Sequence, residues 1–225
     1  MFYENGPFVV SEDLNILKRE YSWTNAFSML YIDNPVGAGF SFTLGREGYA
    51  ENQVDIVKGL YKALQQFFRL FPEQRQNDFY IAGESYADYL NLPEVRKAIH
   101  VGKLRFDEPS VMVKYYLQDD FMQSNKVILE RLLNFNIKIL IYNGNLDLLV
   151  PTASQEMLLG SLNWKFSEEF KRAKREIWQN ERGFIIGYKK RARNLSFISI
   201  RNAGHLVPHD EPLYAFEMIK KFVEN

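Results

Sequence analysis

The sequence predicts an α/β fold, a mainly parallel sheet flanked by helices. Two observations carry this. Short apolar runs of about four to six residues, rich in Ile, Tyr and Phe, alternate along the chain with longer stretches of helical spacing. Each run stops at turn-forming residues, as at Asp33-Asn34-Pro35, Gly83 and Asn143-Gly144. In such a sheet the chemistry belongs to the loops that follow the strands.

The elements follow in order. Phe8-Val9-Val10 reads as a strand already in progress, and Met29-Leu30-Tyr31-Ile32 as a buried strand. From Glu51 to Phe71, residues Val54, Val57, Tyr61, Leu64, Phe68 and Phe71 recur at three- and four-residue steps, which predicts an amphipathic helix ended by Pro72. Phe79-Tyr80-Ile81-Ala82 is a second short strand, and Ile137 to Tyr142 a third. Phe184–Tyr188 and Phe197–Ile200 are two more. Helical patterns cover Pro93–Val101, Ser124–Leu133, Ala153–Leu159, Glu168–Trp178 and Pro212–Phe222.

Composition narrows the chemistry. The 225 residues, 46% hydrophobic and 25% charged, are those of a globular chain, read as one domain over 1–225. With no cysteine, disulfides, thiolate nucleophiles and Cys-ligated metals are excluded. No metal or other cofactor is expected. Twenty-eight basic and 28 acidic residues cancel, which gives no reason to expect nucleic acid. No window approaches the ~18 apolar residues of a membrane span. The opening Met1-Phe2-Tyr3-Glu4-Asn5-Gly6 puts an acid and a turn where a signal peptide has its apolar run, so no signal peptide is read.

Three loops carry candidate chemistry. Gly83-Glu84-Ser85-Tyr86-Ala87 has the form of a nucleophile elbow, with Ala in the last place. Small residues on either side of the serine permit the sharp strand-to-helix turn that exposes its hydroxyl. Asn143-Gly144-Asn145-Leu146-Asp147 follows the third strand, and Asn202-Ala203-Gly204-His205 follows the last short one. The order Ser, Asp, His is that of one hydrolytic scaffold. Ser85 is a poor nucleophile unless His205 takes its proton, and His205 needs Asp147 to fix its tautomer. Of the other histidines, His100 reads as a helix flank and His209 as exposed in a polar run.

The sequence resembles the serine carboxypeptidases, most closely their vitellogenic-like branch. The resemblance rests on Glu4-Asn5-Gly6-Pro7-Phe8, Asp33-Asn34-Pro35-Val36-Gly37 with Gly39-Phe40-Ser41, Phe79 through Ala87, Leu92 through Val101, Tyr142 through Asp147, and Ala203-Gly204-His205. It implies the α/β-hydrolase fold and a lysosomal or secreted exopeptidase acting in acid on peptide and protein C-termini. Carried over, Ser85 is the nucleophile, His205 the base, Asp147 its orienter, and the Tyr86 N–H one oxyanion donor. Glu4, Glu84 and Asn143 fall in the substrate-binding set. Glu4 and Glu84 match an acidic pair that binds the terminal carboxylate. Such a pair works only when it shares a proton, because two ionised carboxyls would repel a third.

The chain also departs from this pattern. The family's Gly-Gly-Pro-Gly oxyanion segment and its early strands do not precede Glu4. After Ala87 the chain passes directly to Asp88-Tyr89-Leu90-Asn91-Leu92-Pro93, which matches the segment beyond the family's helical cap insertion. The expectation is a partial α/β-hydrolase domain without the N-terminal strands and cap, joined near 87–88. Two alternatives stand beside the carboxypeptidase: a catalytically impaired remnant or splice form, and an esterase or acyltransferase on the same scaffold. Asn194-Leu195-Ser196 is a glycosylation sequon.

Overall fold

The computed structural model describes residues 4–11, 13, 15–83, 111–120 and 123–224. The chain opens with two short strands, β1 (Phe8–Val10) and β2 (Ile16–Lys18), that form their own sheet. β1 lies where the sequence places a strand. The chain then divides into two compact units.

The first unit comprises Met1–Val9, Leu17–Met29 and Ser124–Asn225. Its centre is a four-stranded sheet of β3 (Ile139–Gly144), β4 (Glu176–Gln179), β5 (Ile185–Ala192) and β6 (Leu195–Ile200), in the order β3-β6-β5-β4. β3 and β6 are parallel, from Ile139 opposite Leu195 to Gly144 opposite Ile200. β4, β5 and β6 are antiparallel neighbours. The parallel arrangement expected of the sheet is thus met at β3–β6, and the rest of this mixed sheet is a meander. Tight turns at Gly183 and at Arg193-Asn194 return the chain before a crossover helix can form, with φ of 78° at Gly183 and 51° at Arg193.

Both faces of the sheet are covered, which is why β3 reads as a nearly continuous apolar run. On one face Ile139, Ile141, Leu195 and Phe197 pack with Leu133, Leu159, Leu162, Trp164 and Phe170. These come from α3 (Lys126–Asn134), α4 (Thr152–Ser161), α5 (Ser167–Arg172) and the intervening turn. On the other, Leu140, Tyr142, Ile198 and Ile200 pack with Val207, Ala215 and Met218. These belong to α6 (Val207–Asp210) and α7 (Pro212–Glu224). The sequence placed one helix over Glu168–Trp178. The structure ends α5 at Arg172 and turns 176–179 into the edge strand β4. Ile177 and Trp178 favour a pleated surface, and Trp178 is buried there as a strand residue. Near the N-terminus, Arg19 holds the 6–8 segment by donating to the carbonyls of Gly6 and Phe8, while Ser22 and Trp23 bind the Asn5 carbonyl.

The second unit comprises Val10–Ile16 and Leu30–Gln123. It holds α1 (Gln53–Leu70) and α2 (Val111–Tyr116). Asn52 and Asp55 cap α1 reciprocally: Asn52 Oδ1 accepts the Asp55 N–H at 3.1 Å, and its amide donates to Asp55 Oδ2 at 3.0 Å. The Asp33–Ser41 segment closes on itself. Asp33 Oδ2 accepts the Phe40 N–H at 2.8 Å and the Asp33 carbonyl accepts the Ser41 hydroxyl at 2.7 Å. Gly39, at φ 57°, has no room for a Cβ against the Asp33 carboxylate.

Two expected strands of this region, Met29–Ile32 and Phe79–Ala82, are not in a sheet, and Leu30, Tyr31, Ile32, Phe79, Tyr80 and Ile81 are exposed. An apolar run becomes a strand only where a neighbouring strand takes up its backbone groups in a ladder, and neither run carries a strand assignment. Val54, Val57, Tyr61 and Phe71 of the α1 stripe are exposed. The predicted helix over Pro93–Val101 and His100 lie outside the described residues.

The sequon asparagine has a structural task. Asn194 Nδ2 donates to the carbonyls of Leu133 at 3.0 Å and Ile137 at 2.7 Å, tying the start of β6 to the entry of β3. Asn194→Ala removes both bonds, leaving the Leu133 carbonyl with the Asn136 N–H, and is expected to lower unfolding free energy by about 1–3 kcal/mol. Chemical denaturation of the two proteins measures it.

Candidate active site

β3 and β6 end side by side because they are parallel and in register. Their outgoing loops carry Asp147 and His205. Asn145 N–H donates to the Ile200 carbonyl and Leu146 N–H to the Ala203 carbonyl, both at 2.9 Å. The loops touch backbone to backbone at Gly144, where a Cβ would lie 2.1 Å from the Gly204 carbonyl oxygen and 2.3 Å from that of Ala203. Only glycine fits such an approach. Asn202 sits at φ 62°, the left-handed geometry asparagine tolerates, and turns the chain toward His205.

The two candidate groups meet directly. His205 Nδ1 lies 2.8 Å from Asp147 Oδ2. Asp147 Oδ1 accepts the N–H groups of Leu149 and Val150, each at 2.9 Å, and Oδ2 also accepts the Asn143 amide at 3.1 Å. The Asp147 side chain is 2% exposed and that of His205 24%. Burial pushes the Asp147 carboxyl up, but the Val150 N–H, His205 and the Leu149 N–H outweigh it and hold the group below its usual value. An ionised Asp147 puts the neutral imidazole's proton on Nδ1 and leaves Nε2 as the basic nitrogen. Nε2 has no hydrogen-bond partner among the described residues. The arrangement is an imidazole held in one tautomer by a buried carboxylate, which is what a general base requires.

The other expected site residues fall out as follows. Asn143 is 5% exposed. Its Nδ2 also donates to the Val150 carbonyl at 3.0 Å, and its Oδ1 accepts the Thr152 hydroxyl at 2.6 Å. The amide is used at both ends inside the loop, between Asp147, Val150 and Thr152. Glu4 is half-buried at the start of the segment held by Arg19, Ser22 and Trp23. Ser85, Tyr86 and Glu84 lie outside the described residues. His209 is exposed, as its run implied, with Nδ1 3.0 Å from Asp210 Oδ1.

Sequence reasoning missed Thr152, which orients Asn143, and Asp210, whose Oδ2 accepts the Gly204 N–H at 2.7 Å beside the histidine. It also missed the Leu149 and Val150 N–H donors. Those had a signal, since an aspartate commonly accepts from backbone N–H groups two residues on. Among the described residues no group of three His, Asp or Glu side chains could hold a metal, and no helix is long and apolar enough to cross a membrane.

Comparison with known proteins assigns the class. The family described as serine carboxypeptidase matches residues 1–88 and 87–225. The probable serine carboxypeptidase CPVL of Homo sapiens is 30% identical over 349 aligned positions, covering 99% of this chain and 73% of that protein. The venom serine carboxypeptidase of Apis mellifera is 29% identical, covering 100% and 74%, and the vitellogenic carboxypeptidase of Aedes aegypti 29%, covering 99% and 73%. The crystal structure of Kex1(delta)p, a prohormone-processing carboxypeptidase from Saccharomyces cerevisiae, superposes with a TM-score of 0.85 at 17% identity, covering 99% of this chain and 79% of that one. The fold is that of the α/β-hydrolases. The chain belongs to the serine carboxypeptidase family.

Two outcomes test this geometry. Gly144→Ala drives a methyl into backbone that has no room for it, so the unfolding free energy should fall by about 3 kcal/mol or more. Unchanged stability would mean that the two loops do not touch. Asp147, with its folded value depressed, stabilises the protein fully above the unfolded carboxylate range of about 4 and loses that contribution as pH falls through the folded value. Asp147→Asn should therefore flatten the acid limb of the stability–pH curve.

Proposed function

We propose that the chain acts as a serine-type carboxypeptidase that releases C-terminal residues from peptides through an acyl-enzyme. The observation that carries the reading is the 2.8 Å contact between His205 Nδ1 and the buried Asp147 carboxylate, with no hydrogen-bond partner on Nε2 among the described residues. In this mechanism Nε2 takes the proton of the Ser85 hydroxyl as its oxygen attacks the last peptide carbonyl. The Tyr86 N–H receives the developing oxyanion, and His205 returns the proton to the departing amine. Water then repeats the sequence on the ester. Asp147 stays ionised throughout and stabilises the imidazolium.

Exopeptidase selectivity is assigned to Glu4 and Glu84. Sharing one proton in mild acid, they donate to the substrate's terminal carboxylate; both ionised, they would repel it. This favours an acidic compartment of the secretory or lysosomal route, consistent with the venom and vitellogenic relatives. Asn143 serves by holding Asp147 in place.

A second reading is favoured by one observation. The alignments run over 349 positions although the chain has 225 residues, and the family match breaks at 87–88. A large part of those relatives therefore has no counterpart here. We infer a junction at that point, and a form without the missing segment would keep the Asp147–His205 pair and lose turnover.

One experiment separates the readings. A fluorophosphonate should label Ser85 in the folded chain, and both Ser85→Ala and His205→Gln should abolish labelling, with at least about 10⁴-fold loss of peptide turnover. At about pH 5, where a close carboxyl pair still shares a proton, a free-acid peptide should be cleaved and its C-terminal amide spared. Equal cleavage of acid and amide would indicate an esterase-like or acyl-transferring enzyme. Folded protein that is neither labelled nor active would establish the impaired form.

A further inference from the structure

Away from the Asp147–His205 pair, a cavity of about 240 Å³ opens between the sheet and the end of α7. Its walls carry an unusual charge. Lys138 from the entry of β3, Lys189 and Arg191 from β5, and Lys221 from α7 all line it, against Glu176 of β4. Glu217 answers Lys221 at 3.5 Å. Lys190 also lines the cavity, but its Nζ lies 5.0 Å from the centre of the Phe170 ring on the other face of the sheet. The other four cations against two carboxylates leave two positive charges in excess. Lys138 is committed to the Phe222 carbonyl at the end of α7, where a cation suits the helix dipole.

The excess falls on Lys189 and Arg191. They are two residues apart on β5 and so share one face, about 6.6 Å apart along the strand. Neither makes a hydrogen bond or a close ion pair among the described residues. Lys189 is half-buried, with Nζ 4.2 Å from the centre of the Trp178 ring, and Lys221 shares that ring at 5.5 Å. Ser196 stands opposite Arg191 in the β5–β6 register and lines the same cavity. Its hydroxyl likewise has no hydrogen-bond partner among the described residues.

A simple packing role explains the aromatic contacts but not this convergence. Burial, and then the neighbouring cation, push both Lys189 (beside Lys221) and Lys138 (beside Arg191) below the usual lysine range. The fold tolerates mutual repulsion that an anion would relieve. A tetrahedral oxyanion suits the donors, because the guanidinium fork can bind two oxygens while an ammonium and a hydroxyl take the others.

We propose that Lys189, Arg191 and Ser196 form a binding site for a phosphomonoester dianion, in the cavity between the β4–β5–β6 face and the end of α7. The excess of two positive charges selects a dianion over a carboxylate or a phosphodiester, each of which brings one.

The test is a titration of the full chain at about pH 7.5, where a phosphomonoester is mostly dianionic. The Trp178 indole N–H resonance is followed with inorganic phosphate, glycerol 3-phosphate and dimethyl phosphate, each against sodium chloride of equal ionic strength. Phosphate and glycerol 3-phosphate should give saturable shifts, and dimethyl phosphate should bind about tenfold more weakly or not at all. Lys189→Gln and Arg191→Gln should each weaken phosphate binding by about tenfold. Glu176→Gln, which removes an opposing charge, should tighten it several-fold and decides the matter if the cation variants fail to fold. Shifts that follow ionic strength alone, equal binding of the diester, or Glu176→Gln without effect would overturn the proposal.

Discussion

The candidate site depends on one backbone constraint, the approach of the β3 loop to the β6 loop at Gly144. β6 has a parallel neighbour on one side and an antiparallel neighbour on the other. Only the parallel side brings two carboxyl ends of strands together. Because the last pair in register is Gly144 with Ile200, both loops leave the sheet at the same level. Asp147 lies three residues past that level and His205 five. The missing Cβ at residue 144 then lets the loops close until a carboxylate and an imidazole are in hydrogen-bond contact. The meander through β4 and β5 adds core and an edge but contributes no strand end there.

Once the loops have closed, the cost to overcome is burial of the Asp147 charge. An unpaired ionised carboxylate in that position would cost several kcal/mol. It is instead met by two backbone N–H groups, the Asn143 amide and His205. Each charge-assisted bond is stronger than a neutral one, and together they reverse the effect of burial on the carboxyl. The support continues outward: Thr152 fixes the Asn143 amide, and Thr152 opens α4, whose Leu159 belongs to the core under the sheet. On the histidine side Asp210 holds the Gly204 N–H from α6. The orientation of His205 is thereby coupled to helices on both faces of the sheet.

The sequence reveals this region well because its signals are local. Ile139–Tyr142 and Phe197–Ile200 pack on both faces of the sheet and so are apolar but for Ser199, and the Asn-Gly and Ala-Gly-His turns stand at their ends. Chain order then suggests the pairing of Asp147 with His205. What stays hidden needs long-range knowledge. Met29–Ile32 and Phe79–Ala82 read as strands because composition cannot say whether a partner strand exists. Glu168–Trp178 reads as one helix because Ile177 and Trp178 continue its spacing, although cross-strand packing on β5 decides their state. Asn143 resembles a ligand-binding amide until Thr152 and Val150 are seen to occupy both its ends.

Two carboxyls at this end of the sheet respond to acid in opposite ways. Asp147 is held below its usual value, whereas burial pushes Glu211 up, opposed by a hydrogen bond from Asn202 and reinforced by the charge of Asp210. For Asp147 the ionised form is the one the fold favours, so its contribution is lost only as pH falls through a depressed value. For Glu211 the fold favours the neutral form, so a cost appears as pH rises from the unfolded value of about 4.3 through the raised folded one. Between the two, Glu211 holds its proton and no longer repels Asp210, while Asp147 still carries the charge that orients His205. Asp210 is the group that pins the Gly204 backbone beside His205. On the acid side of neutrality the loop bearing His205 therefore combines an ionised Asp147 with a neutral Glu211.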